Sequence, residues 1–135
     1  MKNLLRKSHL IVGLILLVIF PLTGAYLRYR IPHLMQDSDR FRFSMRGNHV
    51  YILLSGLIHL SLGVYLRRIH SNWLSKLQTT GSILLTFSST IVLAAFFLEP
   101  KSGLDRPYTS LAMFTALAGM LLHGFCGLMA EAQER

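Results

Sequence analysis

Residues 77–98 read LQTTGSILLTFSSTIVLAAFFL, with no lysine, arginine, aspartate or glutamate between Lys76 and Glu99. A helix of that length rises about 33 Å, enough to cross a hydrocarbon core of about 30 Å with its backbone hydrogen bonds closed internally. The chain holds three more such blocks, and the spacing predicts spans at about 9–27, 49–66, 77–98 and 108–130. Each is flanked by charge: Lys7 and Arg28, Arg46 and Arg67, Lys76 and Glu99, Arg106 and Glu131. A membrane β-barrel would instead need shorter segments of alternating polarity. The connections are too short for a separate soluble domain, so residues 1–135 read as a single membrane domain. The expected fold is an all-α integral membrane protein, a four-transmembrane-helix antiparallel up-and-down bundle.

Composition agrees. Of 135 residues, 52% are hydrophobic and 15% charged, well below the roughly one quarter charged of a soluble domain. Lys2, Arg6 and Lys7, an apolar run and then Thr23-Gly24-Ala25 share the layout of a secretory signal. The block nevertheless continues through Pro21 to Tyr26, and a retained first span is expected, with Pro21 tolerated or kinking it.

The net charge of +8 lies at span edges, a membrane pattern rather than a nucleic-acid surface. Lys2, Arg6, Lys7, Arg67, Arg68, Lys76 and Arg135 fall on the side of the two termini. Arg28, Arg30, Arg40, Arg42, Arg46, Lys101 and Arg106 fall on the other, so the charge rule for orientation is tied. The basic N-terminus comes first and assigns both termini to the cytoplasm, with a bacterial inner membrane as the expected location.

No span carries a carboxylate in its interior, which argues against a small exporter trading protons for substrate at an acidic group. The third span is rich in hydroxyls, among them Thr79, Thr80, Ser82, Thr86, Ser88 and Ser89. Such groups bond back to their own helix or permit close packing. Cys126 lies within the fourth span and reads as a small apolar residue, and no zinc or dithiol spacing exists.

The intramembrane histidines are the main functional signal, because ionisable groups at that depth are rare and usually have work to do. His59 stands eight residues before Arg67 and His123 eight before Glu131, which places both about 12 Å in from the terminal side. Gly56 and Gly63 flank His59, and Gly119 and Gly127 flank His123, on or near the face of each histidine. Two imidazoles facing across the bundle, with bare helix beside them, suit one b-type haem ligated by His59 and His123. Arg67, Arg68, Arg6 and Lys7 would then pair with its propionates. The alternative is that each histidine bonds to a hydroxyl or carbonyl of a neighbouring helix, with Ser55 and Thr115 at hand, and quinone or metal contact is a third reading.

His9 and His49 open the first and second spans. They read as interfacial residues or, in a second layer, as an axial ligand, a quinone hydrogen-bond donor or a proton relay. His33, Asp37 and Asp39 in the first loop match no compact metal site, and Met113, Met120, Cys126 and Met129 do not share one helical face. The opening of the first span, His9 with Gly13 one turn on and Pro21-Leu22-Thr23-Gly24 near its far end, resembles the histidine-bearing spans of small membrane b-type cytochromes.

Two functions therefore stand as expectations. One is an electron-transfer protein or subunit carrying haem b and exchanging electrons with quinone or a larger membrane complex. The other is a non-catalytic membrane subunit or assembly factor that packs against larger partners or its own copies. No triad, phosphate loop or paired catalytic carboxylates can be assembled, and nucleic acid is not an expected partner.

Overall fold

The computed structural model describes residues 2–29, 39–66, 69, 71–99 and 105–134. Four helices occupy them: α1 (Lys2–Tyr29), α2 (Asp39–Tyr65), α3 (Asn72–Leu98) and α4 (Pro107–Glu134). All four are long and apolar enough to cross a membrane, and they pack as a bundle without strands among the described residues. The protein is accordingly an all-helical integral membrane protein.

The helices exceed the charge-free blocks. Each has 27 or 28 residues, about 40 Å of rise, so roughly 10 Å stands outside the hydrocarbon layer. The largest difference from the sequence reading is in α2, which begins at Asp39 and runs through Arg42 and Arg46 before the predicted start at 49. Charge ends an apolar block but does not break a helix, whose hydrogen bonds continue into the headgroup region and beyond. Pro21 lies inside α1, and the helix passes through it.

Cross-helix bonds define the topology. His9 meets His59 and Thr23 meets His49, so α1 and α2 are antiparallel. Asn48 reaches the carbonyl of Ala95 and Ser55 reaches Ser89, which sets α2 antiparallel to α3. Ser88 bonds Ala112 and Glu99 bonds Thr109, which sets α3 antiparallel to α4. The two hairpins α1–α2 and α3–α4 each pack extensively, and they meet mainly along α2 and α3. Both termini thus lie at one end of the bundle.

Each hairpin closes on glycine. A Cβ at Gly63 would stand 2.6 Å from Leu10 Cγ and 3.0 Å from the Leu10 nitrogen, and one at Gly13 would stand 2.9 Å from the Leu60 nitrogen. In the second hairpin a Cβ at Gly119 would lie 2.9 Å from the carbonyl oxygen of Gly81. Without a hydrophobic drive between helices in lipid, this backbone approach supplies the packing contacts. Of the four glycines expected to clear space for a macrocycle, Gly56, Gly63 and Gly119 are filled instead by the neighbouring helix.

Two apolar clusters frame the polar centre. Leu16, Met45, Ile52, Ile91, Val92 and Phe96 belong to the one towards the inter-helix loops of α1–α2 and α3–α4. Ile69, Leu74, Cys126 and Ala130 form the other, near the terminal end. Between them lie the histidines.

Candidate functional site

Three helices bring His9, His59 and His123 together. His9 Nδ1 stands 2.7 Å from His59 Nδ1, with ring centroids 4.8 Å apart. His9 Nε2 stands 2.9 Å from Ser82 Oγ, and Ser82 Oγ stands 3.2 Å from His123 Nε2. On the other side His59 Nε2 lies 3.0 Å from Ser89 Oγ, which lies 2.6 Å from Ser55 Oγ. The result is one unbroken hydrogen-bonded chain: His123, Ser82, His9, His59, Ser89, Ser55.

The periodicity of the helices explains why these residues meet. On α3, Ser82 and Ser89 are seven residues apart, two turns, and so share a face about 10 Å long. Ser55 and His59 on α2 are one turn apart and address that face from the other hairpin. Ser82 and Ser89 also lie 3.0 and 2.9 Å from the carbonyl oxygens of Gln78 and Leu85, four residues back. The expectation that span hydroxyls bond to their own helix is therefore met at these positions, but it missed that two of them also hold imidazoles. Thr79, Thr86 and Thr90 show only the backward bond. Thr115, considered as a histidine partner, bonds the carbonyl of Leu111 instead.

A nitrogen-to-nitrogen bond requires one donor and one acceptor, so His9 and His59 in neutral form present opposite roles at Nδ1. That choice fixes the polarity of the chain. In one register Ser55 donates to Ser89, Ser89 turns its single proton from the Leu85 carbonyl to His59 Nε2, His59 Nδ1–H donates to His9 Nδ1, His9 Nε2–H to Ser82, and Ser82 turns its proton from the Gln78 carbonyl to His123 Nε2. In the other register every donor and acceptor is exchanged. His123 Nδ1 is buried and has no hydrogen-bond partner, so it is the open end of the chain.

His9 differs most from its sequence reading. It was expected at the membrane edge, yet it is 2% exposed and stands between the other two histidines, with ring centroids 5.8 Å from His123. The reason lies in α1, whose helix begins at Lys2, so that His9 already falls inside the bundle. His59 and His123 therefore do not face each other directly. His49 sits apart from the chain, where its Nδ1 lies 2.9 Å from Thr23 Oγ and its ring stacks on Phe20 at 4.2 Å.

These residues do not fit a haem between His59 and His123. Both nitrogens of His59 are engaged within the protein, at 2.7 and 3.0 Å. The faces at Gly56, Gly63 and Gly119 are closed by Leu16, Leu10 and Leu85, and among the four flanking glycines only Gly127 opens on empty space. Arg6, assigned to a propionate, instead donates from Nε to the carbonyl of Gly63 at 3.2 Å and from Nη2 to that of Val64 at 3.4 Å. It thereby ties α1 to the carbonyls of the last turn of α2. Arg67, Arg68, His33 and Asp37 lie outside the described residues. Among the described residues no three of His, Cys, Asp and Glu are grouped to hold a metal ion.

A second polar cluster, absent from the sequence reading, closes the opposite edge. Glu99, just past the last turn of α3, is fully buried, its carboxylate accepting the backbone N–H of Thr109 at 2.6 Å and the Asn48 amide at 3.3 Å. The Thr109 hydroxyl also donates to it, and Arg106 Nε lies 3.5 Å away. Arg106 donates to Asn48 Oδ1 and lies over the ring of Tyr51, its guanidinium carbon 5.7 Å from the centroid. Burial pushes the Glu99 carboxyl up, but the Thr109 and Asn48 hydrogen bonds and the Arg106 charge outweigh it and hold its pKa below the ordinary value. The available signal was Glu99 itself, a carboxylate ending an apolar run seven residues before an arginine.

Comparison with protein families, with curated proteins and with solved structures found no match to this chain.

Proposed function

We propose that the protein is a small membrane subunit that handles protons within the bilayer, through the chain from Ser55 to His123. The observation that carries this reading is the continuity of that chain across all four helices, with a histidine pair at its centre. Imidazole accepts a proton on one nitrogen and releases one from the other, which is why histidines at membrane depth serve as relays. Serine hydroxyls between them both donate and accept, so a proton entering at one end reverses every bond and another leaves from the far end.

The test is 15N NMR of histidine-labelled protein in nanodiscs. A relay requires the two registers to interconvert, so the ring nitrogens of His9 and His59 should show shifts averaged between protonated and unprotonated forms, changing together. Substituting His9→Phe should freeze His59 in one tautomer. Fixed and independent tautomers in the unsubstituted protein would overturn the proposal and leave a packing subunit whose histidines only join its helices.

A further inference from the structure

Between the histidine chain and the Glu99 cluster lies a cavity of about 20 Å³, bounded by Ser55, Ser88, Tyr51, Val92, Met113 and Ala116 among others. That is room for one water molecule, which needs a cavity of at least about 10–15 Å³ and two or more polar partners. Ser55 ends the histidine chain at this cavity, and Tyr51 both lines it and underlies Arg106. Asn48, bonded to Glu99, is three residues from Tyr51 on the same helix, about 4.5 Å of rise. At the other end, His123 lines a lateral groove of about 480 Å³ between α2 and α4, with Ser61, Met120 and Gly124. Its Nδ1, buried and without a hydrogen-bond partner, is the last atom of the chain.

The geometry points to a proton path across the bundle, in which one water held between Ser55 and Tyr51 joins the Glu99–Arg106 cluster to the histidine chain and His123 opens it to the α2–α4 groove. This rests on the proton-relay reading above and adds an entrance, a water site and an exit. The step balances. The water passes one proton to Ser55 Oγ, each member hands its own proton to the next, and His123 Nε2 gains one while His123 Nδ1 releases one to the groove. The water's proton is replaced by one from the aqueous phase at the Glu99–Arg106 edge, drawn there by the ionised Glu99 carboxylate. No electron moves, and the net change is one proton taken in and one given out. The chain is left in its reversed register, and it resets as the hydroxyls rotate and each imidazole loses the proton it gained to water and regains one at the nitrogen it had emptied.

The experiment uses the full chain in liposomes of phosphatidylcholine and phosphatidylglycerol, with a potassium diffusion potential set by valinomycin and an internal pH dye. Proton flux above that of empty liposomes is expected. Ser55→Ala should lower it about tenfold, the rate equivalent of one missing hydrogen-bonded link. Ala116→Val fills the cavity without altering any hydrogen-bonding side chain and should give a similar loss, so a Ser55→Ala protein that fails to fold leaves the test intact. Thr79→Val, outside the path, should leave the flux unchanged. Flux equal to that of empty liposomes, with histidine tautomers still exchanging by NMR, would overturn the path while leaving the relay. Undiminished flux in Ala116→Val would overturn the water site. Frozen tautomers together with no flux would remove both proposals.

Discussion

The Glu99 cluster allows a quantitative test of what holds the two hairpins together. Replacing Glu99 by Gln keeps the shape and the acceptor for the Thr109 N–H, but turns an amide nitrogen towards the Asn48 amide. The Thr109 hydroxyl has an alternative acceptor in Asn48 Oδ1 at 2.9 Å, so its loss is partly offset. What is not offset is the bond from Asn48 and the pairing with Arg106, at 3.3 and 3.5 Å. The charge-assisted hydrogen bond from Asn48 contributes about 1.5–3 kcal/mol and Arg106 Nε, which makes no hydrogen bond, a Coulombic pairing alone, so Glu99→Gln should cost about 3 kcal/mol. Arg106→Leu leaves a buried carboxylate without its countercharge and should cost about 3–5 kcal/mol. The double variant removes both charges and should lose about 2 kcal/mol less than the sum of the single losses. Reversible unfolding in mixed micelles, followed by circular dichroism for all four proteins, gives the cycle. Losses that add to within about 0.5 kcal/mol would refute the reasoning, because they would show that Glu99 and Arg106 are not coupled.

Other outcomes follow from particular contacts. Because the folded pKa of Glu99 is depressed, its contribution to stability is present above the unfolded value of 4.5 and is lost as pH falls through the lower folded value. Unfolding midpoints measured from pH 6 to pH 3 should therefore fall in the unsubstituted protein more steeply than in Glu99→Gln, and parallel curves would contradict this. Gly63→Leu forces α1 and α2 apart and should destabilise the bundle by about 2 kcal/mol or more, whereas Gly127→Ala, which meets open space, should be near neutral in the same unfolding assay. Cys126 is fully buried and should resist maleimide in micelles until the protein is unfolded, with rapid labelling of the folded protein as the contrary result. Oxidised and dithionite-reduced optical spectra should show no Soret band, and a band at one haem per chain would return His59 and His123 to axial ligation.

The membrane class and the four spans were legible in the amino-acid order, because an apolar block long enough to cross a bilayer leaves the backbone little choice but a helix. The pairing of neighbouring helices followed from their short connections. His59 and His123 stood out for the same local reason, their depth within such blocks. What the chain order did not reveal was the partner of each side chain. Periodicity assigns a residue to a helix face, but the rotation of that face towards one neighbour or another is settled by packing. Gly13, Gly56 and Gly63 draw α1 against α2, and that approach carries His9 from the expected membrane edge into contact with His59. Ser82 and Ser89 looked like any other hydroxyls of the third span until the fold placed imidazoles beside them. Glu99 and Arg106 read as edge charges, and only the fold turned them inward to meet Asn48 and Thr109. The bilayer acts on each span separately and so writes its demand into the local sequence, whereas the hydrogen-bonded chain depends on direct bonds between residues as much as 73 positions apart and exists only where four helices have packed.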